Sequence, residues 1–164
     1  MKRRMILAVG ALALGMWVAP GEVLAQTAIY KGGAFIVRKV GKVCKLEVAL
    51  TPGKGNKGRA ILTLFKGDKF HSELITERQS IGSAQGAVKI GFDKGKAVDH
   101  PLLKDAGKDD NWRWRYLGNS KGLIDEVRKR DEMTLRFSNG KKDFAFQTPL
   151  AGSGKAVQAL EKCK

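Results

Sequence analysis

The segment VCKLEVAL places Cys44, Leu46, Val48 and Leu50 on one side of an extended chain and Lys45 and Glu47 on the other. Side chains alternate across a strand, so this period-two separation of apolar from charged residues predicts a half-buried β-strand. The alternation recurs in RAILTLF (59–65), AVKIGF (87–92), MTLRFS (133–138) and DFAFQT (143–148). Between the last two lies Asn139-Gly140, a strong tight-hairpin signal. Two segments break the period. GLIDEVRKR sets Leu123, Ile124 and Val127 at helical spacing, and GKAVQALEKC does the same with Val157, Leu160 and Cys163. The expected architecture is mainly β, an antiparallel β-sandwich or barrel with two short helices. No repeat or linker divides it, and TPGKGNKG and KDAGKDDN read as surface loops.

The N-terminal stretch opens with Lys2, Arg3 and Arg4, runs apolar from Met5 to about Ala19 and ends in Val23-Leu24-Ala25. That is the pattern of a cleavable signal peptide over residues 1–25, leaving one exported domain over residues 26–164 in the periplasm or outside the cell. The apolar run is short for a membrane span, and no later stretch resembles one. Residues 1–25 hold three basic residues and Glu22, so the 31 Lys plus Arg and 16 Asp plus Glu of the whole chain become 28 and 15 in the mature part, a net +13. Such a charge favours encounter with polyanions and says nothing about fold.

Cys44 and Cys163 are the only two cysteines, both in the exported part. An oxidising compartment predicts a disulfide between them, a structural staple closing nearly the whole domain. They form no CxxC pair, which leaves a redox role without its usual motif.

Gly118-Asn119-Ser120-Lys121-Gly122 matches the G-x-S-x-G nucleophile elbow. In those hydrolases the acid and histidine follow the serine and the sheet is parallel, whereas His71 and His100 both precede Ser120 and the strands here predict an antiparallel sheet. The simpler expectation is a turn at the glycines, with Ser120 or Asn119 capping the following helix. GKGNKG (53–58) spells G-x-G-x-x-G but is followed by a strand, where a dinucleotide site requires a helix. It reads as a flexible cationic loop. No Cys, Asp or Glu stands at metal-ligand spacing from either histidine, so the sequence predicts no metal, no cofactor and no catalytic residue.

NWRWRY is the stretch with most to offer a partner. As a strand it sets Trp112, Trp114 and Tyr116 on one face and Arg113 and Arg115 on the other. The plainer expectation is that the aromatics fill the core and the arginines are solvated. If the aromatic face is exposed, it becomes a recognition surface, because aromatics and arginine are enriched at interfaces. Arg113 and Arg115, with Lys54, Lys57 and Arg59 of the glycine loop, are the candidates for an anionic partner. The Arg128-Lys129-Arg130 run falls at the end of the first helix, where positive charge complements the dipole.

The C-terminal third, KGLIDEVRKRDEMTLRFSNGKKDFAFQTPLAGSGKAVQALEKC, resembles the end of the invasion-associated locus B family of exported bacterial proteins. The shared order is a short helix, a strand, a hairpin, a second strand and an L-x-G turn (Leu150-Ala151-Gly152) before a final helix. FIVRKVGKVCKLEV weakly resembles that family's first strands, where typical members carry a tryptophan and an extra cysteine and this chain has Phe35 and only Cys44. The resemblance implies a periplasmic, β-sandwich-like domain with an envelope or virulence role and no known catalytic residues.

The expected function is therefore non-catalytic binding in the bacterial envelope. The partner is an envelope component or protein, anionic candidates being lipopolysaccharide and anionic lipid, and no specific nucleic acid is expected because no recognised module is present. The competing readings are a polyanion or nucleic-acid binder and a small exported hydrolase. The latter would use a carboxylate pair such as Asp109 with Asp110 or Asp125 with Glu126, facing each other across a cleft.

Overall fold

Bulky β-branched and leucine side chains at alternate positions bury one face of each strand, and the hydrogen-bond ladders then line those faces up. The computed structural model describes residues 26–66, 71–102, 105–108, 110–118 and 121–164, without the side chains of Asp105, Ala106 and Trp114. The expected signal peptide (1–25), the expected helix-capping pair Asn119 and Ser120, and Asp109 lie outside these residues.

Among the described residues, eleven strands and two helices follow in chain order: β1 (Gln26–Gly32), β2 (Phe35–Val40), β3 (Val43–Leu50), β4 (Ala60–Lys66), β5 (Ser72–Glu77), β6 (Gln85–Phe92), β7 (Val98–Pro101), β8 (Asp105–Lys108), β9 (Trp112–Gly118), α1 (Lys121–Lys129), β10 (Glu132–Ser138), β11 (Asp143–Pro149) and α2 (Ser153–Lys162). They form a seven-stranded sheet in the order β1-β2-β3-β4-β5-β9-β8 and a four-stranded sheet in the order β11-β10-β6-β7. Every pairing is antiparallel. The two sheets face each other as an open sandwich, so of the two expected architectures the sandwich is the one formed and no barrel closes. No helix among the described residues is long and apolar enough to cross a membrane.

The register shows how the inner face is made. Leu46 pairs with Leu64 and Val48 with Leu62 across β3 and β4, and Leu62 pairs with Leu74 across β4 and β5. All five are fully buried and meet Val88, Ile90, Met133, Leu135, Phe144 and Phe146 of the smaller sheet in one core. β11 lies against β3 and β7 against β9, while α2 covers β1 to β3 and is itself packed by α1. The helices arise where the spacing predicts, burying Leu123, Ile124 and Val127 from α1 and Ala156, Val157 and Leu160 from α2.

The hairpin between β10 and β11 has four turn residues where Asn139-Gly140 alone would suggest two. Ser138 pairs with Asp143, and the Asn139 carboxamide oxygen accepts from the backbone N–H of Lys141 at 2.9 Å and Lys142 at 2.8 Å. Gly140 sits at φ +85°, which a residue with a side chain rarely adopts. Beyond β11, the chain leaving β3 crosses over to pair with the smaller sheet. Gln147 donates its N–H to Thr51 O at 2.9 Å, and Gly53 donates to Ala145 O at 2.8 Å. That crossing protects an edge which would otherwise present unpaired backbone groups.

Cys44 and Cys163 are joined, with Cα atoms 6.1 Å apart and a sequence separation of 119. Both are buried. Lys66, paired in register with Cys44, donates its ammonium to the carbonyls of Glu161 and, at 2.8 Å, Cys163. Those are carbonyls a helix end leaves unsatisfied, so the cation both hydrogen-bonds them and opposes the negative end of the helix dipole. Replacing both cysteines by serine is expected to lower unfolding free energy by about 4 to 5 kcal/mol in chain-entropy terms. Urea titration of the oxidised chain beside the variant measures it, and equal midpoints would mean that packing alone holds α2.

Candidate functional site

β9 inherits its orientation from β5. Leu74 pairs with Arg115 and Thr76 with Arg113, while Glu73 pairs with Tyr116, Ile75 with Trp114 and Glu77 with Trp112. Directly paired residues project to the same side of a sheet, and Leu74 is fully buried in the core. Arg113 and Arg115 therefore lie on the inward face and Trp112 and Tyr116 on the outward one, with position 114 on the outward side by register. This reverses the expectation of core aromatics and solvated arginines. Between Ser72 and Glu73 the pairing shifts by one, and the extra residue, Leu117, is buried in the core.

The inversion is tolerated because an arginine stem is apolar and long. At this side of the sandwich β7 lies against β9, and Arg113 and Arg115 are half-buried, as a long apolar stem with a charged tip allows. The Nε of Arg115 is shielded from solvent. Both arginines thus stand on the opposite side of β9 from Trp112 and Tyr116, with which the sequence grouped them as one candidate surface.

On the outward face, Phe65, His71 and Tyr116 form a chain of rings. His71 stacks on Phe65 with centroids 4.3 Å apart and meets the edge of Tyr116 at 5.3 Å. Trp112 lies under the Arg59 guanidinium, 5.2 Å from its centroid, and Arg59 also donates to the Glu77 carboxylate at 3.0 and 2.8 Å. Ser80 and Arg59 hold the Glu77 carboxyl below its usual range. Ile75, paired with Ile61 on this face, is buried beneath the patch and stands apart from the main core cluster. A charged flank borders it, where Glu47 accepts from Arg38 at 3.0 Å and pairs with Lys45 at 2.7 Å. Burial opposes ionisation of Glu47, but those two cations outweigh it and keep the carboxyl below its ordinary value.

Glu73 differs. Half-buried between the ring chain and Thr63, it has its carboxyl pushed above the usual range by burial, against the pull of His71 and Lys45. The Thr63 hydroxyl in the neighbouring register position is fully buried and meets no hydrogen-bond partner among the described residues.

The glycine loop divides the remaining candidates. Arg59 joins the aromatic face, whereas Lys54 and Lys57, both exposed, sit on the stretch that Gly53 ties to β11 of the other sheet. Gly58 holds φ +97° with its Cα hydrogen against Ser80 and Ile81, so the loop's glycine serves backbone geometry. His100 is partly buried, and burial lowers its affinity for a proton. Among the described residues no three His, Cys, Asp or Glu side chains converge as metal ligands.

The sequence reading named the aromatic residues of β9 but missed Phe65 and His71 beside them. A signal existed: in RAILTLF, Ile61, Thr63 and Phe65 alternate against Leu62 and Leu64, so the segment has two apolar faces. Comparison with family models, curated proteins and solved structures finds no match.

Two outcomes follow from this geometry. Glu73 is easier to keep neutral in the folded chain than in the unfolded one, so its stabilising state is fully present below the ordinary carboxylate pKa and is lost as pH rises through the higher folded value. Glu73→Gln should therefore melt above the parent at neutral pH and match it in acid; a pH series of thermal melts showing the reverse order would contradict the assignment. Arg113→Ala/Arg115→Ala should cost roughly 1 to 2 kcal/mol of unfolding free energy through lost stem packing, measured by urea denaturation, where solvated arginines would cost almost nothing.

Proposed function

We propose that this chain is a non-catalytic binding protein of a bacterial envelope, exported by its N-terminal signal, which holds its partner on the outward face of the seven-stranded sheet. The observation that supports this reading most is the placement of Trp112 and Tyr116, with Phe65, His71 and Ile75, on the face turned away from the core. A chain that needed these rings only for stability would bury them between the sheets, where they would contribute most. On the outer face they form an apolar and aromatic centre, with Arg59, Glu77, Lys45 and Glu47 as its polar rim. That is the composition of a protein-recognition patch. The resemblance to the invasion-associated locus B family points the same way, to an envelope role without catalytic residues.

The rim cations are already paired with carboxylates, so the patch suits a protein partner better than lipopolysaccharide or anionic lipid. In the polyanion reading, Arg113 and Arg115 would have to act from the opposite side of β9 to Arg59 and the aromatic face. The hydrolase reading needs two carboxylates across a cleft; Asp125 and Glu126 are neighbours on α1, and Glu126 is engaged by Arg130 at 2.7 Å.

Co-sedimentation of the oxidised chain with purified envelope fractions across a salt series tests this function. A contact made by the aromatic face should persist near 1 M salt, where the screening length falls to about 3 Å. Trp112→Ala/Tyr116→Ala, confirmed as folded by its urea transition, should lose about tenfold or more in affinity, the scale of a central aromatic anchor. Binding that disappears with salt, or that the variant retains, would sink the assignment of this face.

A further inference from the structure

The four-stranded sheet has its own outward face, and its charges are arranged unlike those elsewhere. One cross-sheet row runs Ala145, Arg136, Lys89, Asp99 through β11, β10, β6 and β7. Arg136 and Lys89 are direct partners, and like charges directly opposite each other destabilise a sheet. Most acids on the other surfaces are satisfied by cations: Glu47 by Arg38 and Lys45, Glu77 by Arg59, Glu126 and Asp93 by Arg130. Lys89, Arg136, Asp99 and Asp143 line a single basin, yet among the described residues none of the four makes an ion pair.

The basin exists because the residues around the two cations are small. Ala87, Ala145 and Gly86 form its floor, and its volume is about 730 Å³, within the range of small-molecule sites. Asn56, Gln85 and Ser138 bring two amides and a hydroxyl to its wall. Asn56 comes from the glycine loop, flanked in sequence by the exposed Lys54 and Lys57, so this is where that cationic loop meets the sheet. A second hollow of about 340 Å³ continues from Lys89 and Arg136 past Thr134 and Lys94.

We infer that this basin is a binding site for an acidic oligosaccharide, a short chain of hydroxyl-rich rings in which a ring bearing a carboxylate is flanked by neutral ones. Arg136 and Lys89 supply a guanidinium fork and an ammonium for a carboxylate at the centre. Asp99 and Asp143, with Asn56, Gln85 and Ser138, accept from and donate to ring hydroxyls on either side. A nucleic-acid strand would set successive phosphates against Asp99 and Asp143, and the phenyl rings of Phe137 and Phe144 are buried, leaving bases no stacking platform. A peptide adding a strand would need a free edge, whereas the basin lies on the sheet's face. The site is separate from the aromatic face of the larger sheet and stands or falls without it.

The test is an amide-resolved NMR titration of the full oxidised chain with an acidic trimer, a galactose trimer whose middle ring alone is oxidised to galacturonate, with the unoxidised galactose trimer of the same linkage, inorganic phosphate and phosphatidylglycerol vesicles as the other arms. Lys89, Arg136, Asp99 and Asp143 are all exposed, so substitutions there leave the core intact. The expected result is saturable shifts at Ala87, Lys89, Arg136 and Ala145 with the acidic trimer, and affinity about tenfold weaker for the neutral one. Lys89→Gln/Arg136→Gln should weaken the acidic trimer about tenfold as well. Asp99→Asn/Asp143→Asn should weaken the acidic trimer while strengthening phosphate. Three results would each overturn the site: trimer binding that ignores Lys89→Gln/Arg136→Gln, trimer binding that improves in Asp99→Asn/Asp143→Asn, or preference of these residues for phosphate or vesicles over the trimer.

Discussion

Once Leu46, Leu62 and Leu74 face the smaller sheet, hydrogen-bond register leaves the neighbouring strands no choice of face. Each ladder copies inward and outward parity from one strand to the next, because directly paired residues share a side. β9 receives that parity through Leu74 and Thr76, and it turns Arg113 and Arg115 in and Trp112 and Tyr116 out. Slipping β9 by one residue would bury the aromatics, but would move Leu117 from the core to solvent and break the bulge that seats it. The outward aromatic patch is thus set by the leucine rows of β3 to β5, the last of which pairs directly with β9.

The closure of the larger sheet depends on a second device. The four-stranded sheet reaches from β3 to β9, and the inner face of β1 and β2 would be bare without α2. A helix of ten residues holds little stability by itself. Here it is fixed at one end by the Cys44–Cys163 bond and by Lys66 on its last carbonyls, and laterally by α1, whose Arg128 pairs with Glu161. Asp93 plays a similar part for β10: at φ +52° it turns its carboxylate onto the N–H groups of Asp131 and Glu132 at 3.0 and 3.1 Å.

Much of this was legible in the sequence. Strands β3, β4, β6, β9, β10 and β11 announce themselves by alternation, both helices by their spacing, and the disulfide by there being only two cysteines. Strands β7 and β8 are four residues each, too short to display a period. In SELITE the alternation was masked, because Ser72 and Thr76 take the core side while Ile75 lies on the outer face. The grouping of Arg59, Lys54 and Lys57 could not be read from a loop sequence. Only the docking of Gly53 on β11 sends the lysines toward one sheet, while Glu77 and Trp112 keep Arg59 at the other.

By itself, then, the sequence determined that the chain would make antiparallel strands with two helices, which cysteines would pair, and that Trp112 and Arg113 would point to opposite sides. Alternation defines two faces of a strand and carries that information locally. It does not say which face meets the core, because that depends on which neighbour the strand pairs with and in what register, and both are settled by contacts distant in sequence. Only the tertiary structure decided that Trp112 and Tyr116 face outward. Only it placed Lys89 opposite Arg136, since those two residues stand far apart in the chain and become neighbours solely through the ladder between β6 and β10.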